Sequence, residues 1–133
     1  MLGGCFPANR ETHIPIPHTT YSANSSHSYK CLVVALPGYG DAQTKFKEEG
    51  FIKALRSAAV RADFVTVDAH FGYYREGSTV ERVYQDVLLP AKRSGYQRIW
   101  IVGTSMGGLG TLGMAALHGE ILDGALLLAP YLG

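Results

Sequence analysis

A chain of 133 residues, 47% hydrophobic and 17% charged, has room for one globular domain and excludes a two-domain organisation. Twelve Lys and Arg balance eleven Asp and Glu with no run of like charge, which removes the footprint that phosphate-backbone binding needs and excludes nucleic acid as a partner. No apolar stretch approaches the roughly 18 to 20 residues that cross a bilayer, since I-L-D-G-A-L-L-L-A-P is broken by Asp123 and stops at Pro130.

The first five residues, M-L-G-G-C, resemble the end of a bacterial lipoprotein processing site, with Leu2 three positions before Cys5 and small residues between. The charged and hydrophobic stretches that precede such sites are absent from these residues, so a plain N-terminus with an incidental cysteine is the alternative. The expected location is cytoplasmic by default, or lipid-anchored in the bacterial cell envelope if Cys5 ends an upstream lipoprotein signal. Residues 1–29 read as an irregular lead-in or tether: positions 6 to 29 hold three prolines and many hydroxyl and amide side chains, with no lasting helical or strand period. His13 and His18 have no further ligand candidate close by, so no metal site is expected there.

From Lys30 the texture changes to short apolar runs separated by amphipathic stretches, the alternation of a parallel sheet with crossover helices. The runs are 31–36 (C-L-V-V-A-L), 64–67 (F-V-T-V), 98–102 (R-I-W-I-V) and 124–129 (G-A-L-L-L-A). They are continuous rather than alternating, as strands buried on both faces should be, and Cys31, in the first of them, is expected to be a buried reduced thiol. One helix is predicted near 44–60, with Phe46, Ile52, Leu55 and Ala59 on one face. A second is predicted from Val80, Val83, Tyr84, Val87, Leu88 and Ala91, kinked or shortened by Pro90. The fold class is α/β, a mainly parallel sheet with crossover helices.

In such sheets chemistry gathers at the carboxyl ends of the strands. Those ends run here into L-P-G-Y-G-D, D-A-H-F-G-Y-Y-R-E-G-S and G-T-S-M-G-G-L-G. Gly103-Thr104-Ser105-Met106-Gly107 matches G-x-S-x-G after an apolar strand and before an Ala/Leu-rich helix, Leu109 to His118. That is the strand, sharp turn and helix in which a serine is lifted above the sheet edge. Glycines at 103 and 107 remove side chains that would collide at such a turn, and Gly108 lets the helix sit close to its neighbour. The other role open to Ser105 is that of a helix cap.

With these motifs in order, residues 30–133 resemble the first part of the α/β-hydrolase family of serine esterases and lipases, an incomplete α/β-hydrolase fold. The resemblance implies that Ser105 is the nucleophile and that the backbone N–H groups of Met106 and Tyr39 form the oxyanion hole. Tyr39 lies in the turn Gly38-Tyr39-Gly40, and Pro37 stands where the family often has His. A small-molecule acyl substrate, such as a carboxylic ester, is implied; no cofactor and no metal is required. Asp41 is expected to cap the following helix and Asp68 to organise its loop. His70, Tyr73 and Tyr74 are candidates for lining the acyl or alcohol pocket, the alternative being ordinary packing of an aromatic-rich loop.

A serine nucleophile needs a general base and an orienting carboxylate, which in this fold follow it in the chain. After Ser105 come only His118, Glu120 and Asp123. His118 lies thirteen residues on along the same helix, roughly 18 to 20 Å away, and Asp123 precedes its strand at the wrong sheet edge. His70 is at the right edge but upstream. The expectation is an enzyme truncated before its catalytic Asp/Glu and His, weakly active or inactive as 133 residues, with an exposed final strand that awaits a missing C-terminal half or a pairing chain. Two alternatives stand: a non-catalytic hydrolase-like binding domain, and a dinucleotide-binding domain, because Gly108-Leu109-Gly110-Thr111-Leu112-Gly113 spells G-x-G-x-x-G.

Overall fold

The computed structural model describes residues 10–22 and 30–131; Cys5 and its lipid-anchor expectation lie outside them. The four apolar runs become strands Cys31–Leu36 (β2), Asp63–Val67 (β3), Arg98–Thr104 (β4) and Gly124–Leu128 (β5), mutually parallel. A fifth strand, His18–Tyr21 (β1), adds antiparallel to β3, with His18 opposite Val67 and Tyr21 opposite Phe64. The sheet order is β1-β3-β2-β4-β5.

β1 corrects the reading of residues 6–29 as lacking any strand. H-T-T-Y is short, polar and exposed on an edge, so it carries no apolar period; pairing with the wholly buried β3 is what orders it. The segment before it is held as well: Ile16 is 0% exposed, and its N–H donates to Asp86 Oδ2 at 2.8 Å.

The single helix predicted over 44–60 is two, Lys45–Glu48 (α1) and Phe51–Ser57 (α2), because Gly50 takes φ 82° and breaks the spiral between them. Phe71–Glu76 (α3) is helical where only a loop is expected. Next come Thr79–Val83 (α4), a π-helical turn Tyr84–Leu88 and Leu89–Ser94 (α5). Pro90 therefore does not shorten this helix, which runs on to Ser94. The Leu89 N–H reaches back to the Tyr84 carbonyl, and this wider turn accommodates a residue that has no N–H to give. Met106–His118 (α6) follows β4.

One face of the sheet is covered by a core that includes Leu32, Val34, Val83, Leu88, Ile99 and Met114. On the other face Phe46 and Phe64 pack edge to face at 6.0 Å, with Phe51, Ile52 and Leu55 of α2 alongside. Cys31 opens β2 half-buried rather than buried, and partial burial pushes its thiol pKa up. At the β5 edge Leu126 is 53% exposed and Trp100 on the adjacent strand 44%. Among the described residues no helix is long and apolar enough to cross a membrane.

Candidate active site

β2, β3, β4 and β5 end together, so the segments after Leu36, Val67, Thr104 and Leu128 meet at one edge. Ser105 stands there between β4 and α6 with φ 51° and ψ −117°, a conformation a β-carbon resists. The backbone is held by its neighbours. The Ser105 N–H donates to the Leu128 carbonyl at 3.0 Å, and the Ser105 carbonyl accepts from Gly108 at 2.9 Å and Tyr131 at 2.8 Å. Leu128 and Tyr131 are partners that no local motif announces, because they belong to the next crossover.

The glycines of this strand-to-helix turn, the elbow, have distinct jobs. A β-carbon on Gly103 would run into the Gly107 carbonyl and the Thr111 hydroxyl, and one on Gly107 into the Leu36 carbonyl. At Gly108 it would lie 2.7 Å from Pro130 Cβ. The absence of these carbons brings α6 down onto the ends of β2 and β5. Ser105 is the residue preceding α6, yet its side chain makes no capping hydrogen bond, so the helix-cap role is not taken.

Replacing Ser105 by Gly should raise stability by about 1 kcal/mol, the relief of backbone strain less glycine's extra unfolded-state entropy. Ser105→Ala, which keeps the β-carbon, should change it by less than about 0.5 kcal/mol. Urea denaturation of the two variants measures the difference.

Beside the serine lies the turn after β2. A β-carbon on Gly38 would be 3.3 Å from Ser105 Cβ, so Gly38 places this turn directly against the elbow, and Gly40 takes φ 78°. Tyr39 between them is half-exposed and meets the Phe71 ring edge to face at 5.3 Å. Met106 opens α6, where the first N–H groups of a helix lack an intrahelical acceptor. Asp41 is not a helix cap: its N–H closes a turn on the Gly38 carbonyl at 3.1 Å, and Thr44 occupies the position before α1.

The aromatic loop residues part company. His70 and Tyr73 are 5% and 0% exposed, in keeping with the packing of an aromatic-rich loop, the alternative to a pocket wall. His70 caps α3, its Nδ1 accepting from the Gly72 N–H at 3.0 Å, while Nε2 donates to the Glu11 carbonyl at 3.0 Å. The Tyr73 hydroxyl accepts from the His13 N–H at 2.9 Å. Both side chains turn inward because Phe71–Glu76 coils into a helix, a choice forced by packing against the lead-in. Tyr74 does line a cavity of about 240 Å³ with Thr79, Val80, Leu109 and Gly110. Burial pushes its hydroxyl pKa up, and neither this hydroxyl nor that of Thr79 has a hydrogen-bond partner among the described residues.

Asp68 binds Arg10 through both carboxylate oxygens, and its N–H donates to the Pro17 carbonyl at 2.8 Å, so it organises the lead-in as well as its loop. Asp123 Oδ2 accepts from the Ile99 N–H at 2.7 Å, at the opposite edge of the sheet from Ser105. His118, at the far end of α6, stacks on Tyr84 at 3.6 Å. His13 lies against Tyr73, and His18 Nδ1 is 2.9 Å from the Ile16 carbonyl. Among the described histidines none presents a free ring nitrogen beside Ser105; His27 lies outside the described residues. The G-x-G-x-x-G residues 108–113 are all inside α6, with Gly108 against Pro130, Gly110 against the Tyr74 hydroxyl and Gly113 against Val80. These glycines serve close packing and do not form the strand-to-helix turn that cradles a pyrophosphate.

No protein-family model and no curated protein matches the sequence. Solved structures do match. A highly thermostable carboxyl esterase from Bacillus coagulans superposes with a TM-score of 0.63 at 18% identity, over 83% of this chain and 38% of its own. The monoacylglycerol lipase of Paleococcus ferrophilus gives 0.62 at 15% identity, over 86% and 43%. S-formylglutathione hydrolase (FrmB) from Staphylococcus aureus gives 0.58 at 19% identity, over 80% and 47%. The chain thus spans less than half the length of these three. At such identities the likeness is one of fold: the chain has the mostly parallel sheet and crossover helices of an α/β-hydrolase.

Proposed function

We propose that this α/β-hydrolase fold carries a serine hydrolase site for acyl substrates, carboxylic esters being the default class, with Ser105 as nucleophile. The observation that carries the reading is the serine's strained backbone at the strand-to-helix turn, with its hydroxyl left out of helix capping. Strain of this kind persists only where surrounding structure over-determines it.

In the proposed reaction Ser105 Oγ attacks the acyl carbonyl carbon while its proton passes to a general base. The carbonyl π electrons move onto oxygen, and that oxyanion sits between the Met106 and Tyr39 N–H groups. Collapse expels the alcohol, which takes the proton from the base, and water repeats the sequence on the acyl-serine. Preorganised amide donors of this kind stabilise the transition state by roughly 3 kcal/mol each in comparable sites. The cavity beside Tyr74 is about one helical turn from Ser105 along α6 and is the proposed subsite for one arm of the substrate. The base and its carboxylate are proposed to come from outside the described residues, since the described histidines are engaged elsewhere or distant. The same observation favours a second reading, a hydrolase-like domain that binds without turnover.

A fluorescent fluorophosphonate separates them. Slow labelling of one site, mapped to Ser105 and absent from Ser105→Ala, is the expected result for the 133-residue chain. Rapid labelling would place the base within the chain. Labelling of a different serine, or none after long incubation, overturns Ser105 as nucleophile and leaves the binding domain.

A further inference from the structure

The lead-in, residues 10–17, crosses the start of α3 as a strap. Arg10 pairs with Asp68, the Glu11 carbonyl accepts from His70 Nε2, the Thr12 hydroxyl donates to Glu76 at 2.7 Å, and the His13 N–H donates to the Tyr73 hydroxyl. His70 is the centre of this arrangement because it works in both directions. Its Nε2 holds the strap, and its Nδ1 holds the Gly72 N–H at the first turn of α3. Gly72 makes the closeness possible: a β-carbon there would be 2.7 Å from His70 Cε1 and 3.0 Å from the Arg10 carbonyl. These partners require a neutral ring with its proton on Nε2, since a second proton on Nδ1 would face the Gly72 N–H donor to donor.

We propose that His70 is the titratable pin of a clasp: neutral, it fastens the strap to the start of α3, and protonated, it lets both go. The groups facing the ring are Arg10 and His13 from the strap, Asp68 from the end of β3 and Tyr73 from α3, whose ring lies 4.6 Å away. Burial lowers the His70 pKa; Arg10 and His13 push the same way, while the Glu11 carbonyl and Asp68 oppose them. The native state therefore binds fewer protons at this site than the unfolded chain. The clasp's stabilisation is complete above the unfolded value of about 6.5 and is lost as pH falls through that value and the lower native one.

Phe71 follows the pin and touches Tyr39, so the clasp also bears on the Gly38–Gly40 turn beside Ser105. That consequence rests on the hydrolase reading; the clasp itself does not.

Amide hydrogen exchange between pH 7.5 and 5, corrected for its intrinsic pH dependence, tests the clasp. Protection at His13 and at Gly72–Tyr73 should fall severalfold on acidification while amides of β2 and β4 keep theirs. In His70→Asn, which retains a capping oxygen and cannot titrate, the pH-dependent part should vanish. Equal acid loss in the variant, or none in the wild type, overturns the proposal. Nitrogen-15 imidazole spectra of the unmodified chain are a second, independent measurement: the protonated ring nitrogen of His70 at pH 7.5 must be Nε2, and finding Nδ1 protonated instead overturns the clasp. Neither readout depends on serine reactivity, so failure here leaves the Ser105 proposal to its own labelling experiment.

Discussion

Gly107→Ala should destabilise the protein by roughly 3 kcal/mol or more, toward the upper end for overpacked sites. The added carbon would overlap the Leu36 carbonyl and stand 2.8 Å from the Pro37 carbonyl oxygen. Both obstacles are backbone, at the last residue of β2 and the one after it, and β2 is locked between β3 and β4. No side-chain rotation relieves the clash, so α6 has to lift off the sheet. The lift also moves the Met106 N–H and the Ser105 hydroxyl away from the Gly38 turn, and serine labelling should fall together with stability. Gly119→Ala is the control. Nothing lies within 4 Å of its added carbon and its φ is −59°, so its stability should stay within about 0.5 kcal/mol of the parent. Urea midpoints of the two variants make the comparison; equal effects would mean that the close approach of α6 to β2 is wrong.

Ile16→Ala should cost about 2 to 4 kcal/mol, the usual range for emptying a fully buried aliphatic site. Ile16 comes from a stretch whose prolines and hydroxyl residues read as a tether, and an exposed tether residue would cost almost nothing. Its side chain instead joins the core formed by Val65, Val67, Tyr73 and Val83. Thermal or urea unfolding distinguishes a loss of several kcal/mol from none. Ile14 supplies the contrast two residues earlier, at 79% exposure, where Ala should be nearly neutral.

The strands and the elbow are legible in the sequence because each is written locally. An apolar run buried on both faces has to be apolar at every position, so β2 and β3 stand out; β4 and β5 are equally apolar in sequence and as easily located, although Trp100 and Leu126 leave one face of them half-exposed. The G-T-S-M-G-G segment is equally plain, since the glycines that permit the turn are adjacent in sequence to the serine that uses it. Helix boundaries are less legible. Gly50 interrupts an amphipathic pattern that would otherwise continue, and Pro90 is absorbed by a π-helical turn, an outcome set by packing rather than by the proline. α3 escapes a sequence reading because F-G-Y-Y-R-E has no apolar period of its own; the His70 cap and the strap across it supply its order.

The same division runs through the site. Which serine sits on a strained turn, and which glycines make room for it, follows from the sequence alone, because strand, turn and helix are consecutive there. That β1 closes the sheet edge, that His70 and Tyr73 serve the strap instead of a pocket, and that Leu128 and Tyr131 hold the elbow were decided only by tertiary structure. Each of those contacts joins residues about 23 to 60 positions apart, with geometry set by how the crossovers return to the sheet. A polar strand, a buried histidine or a carbonyl partner has no local signature, because hydrogen bonding satisfies it only once the distant partner arrives.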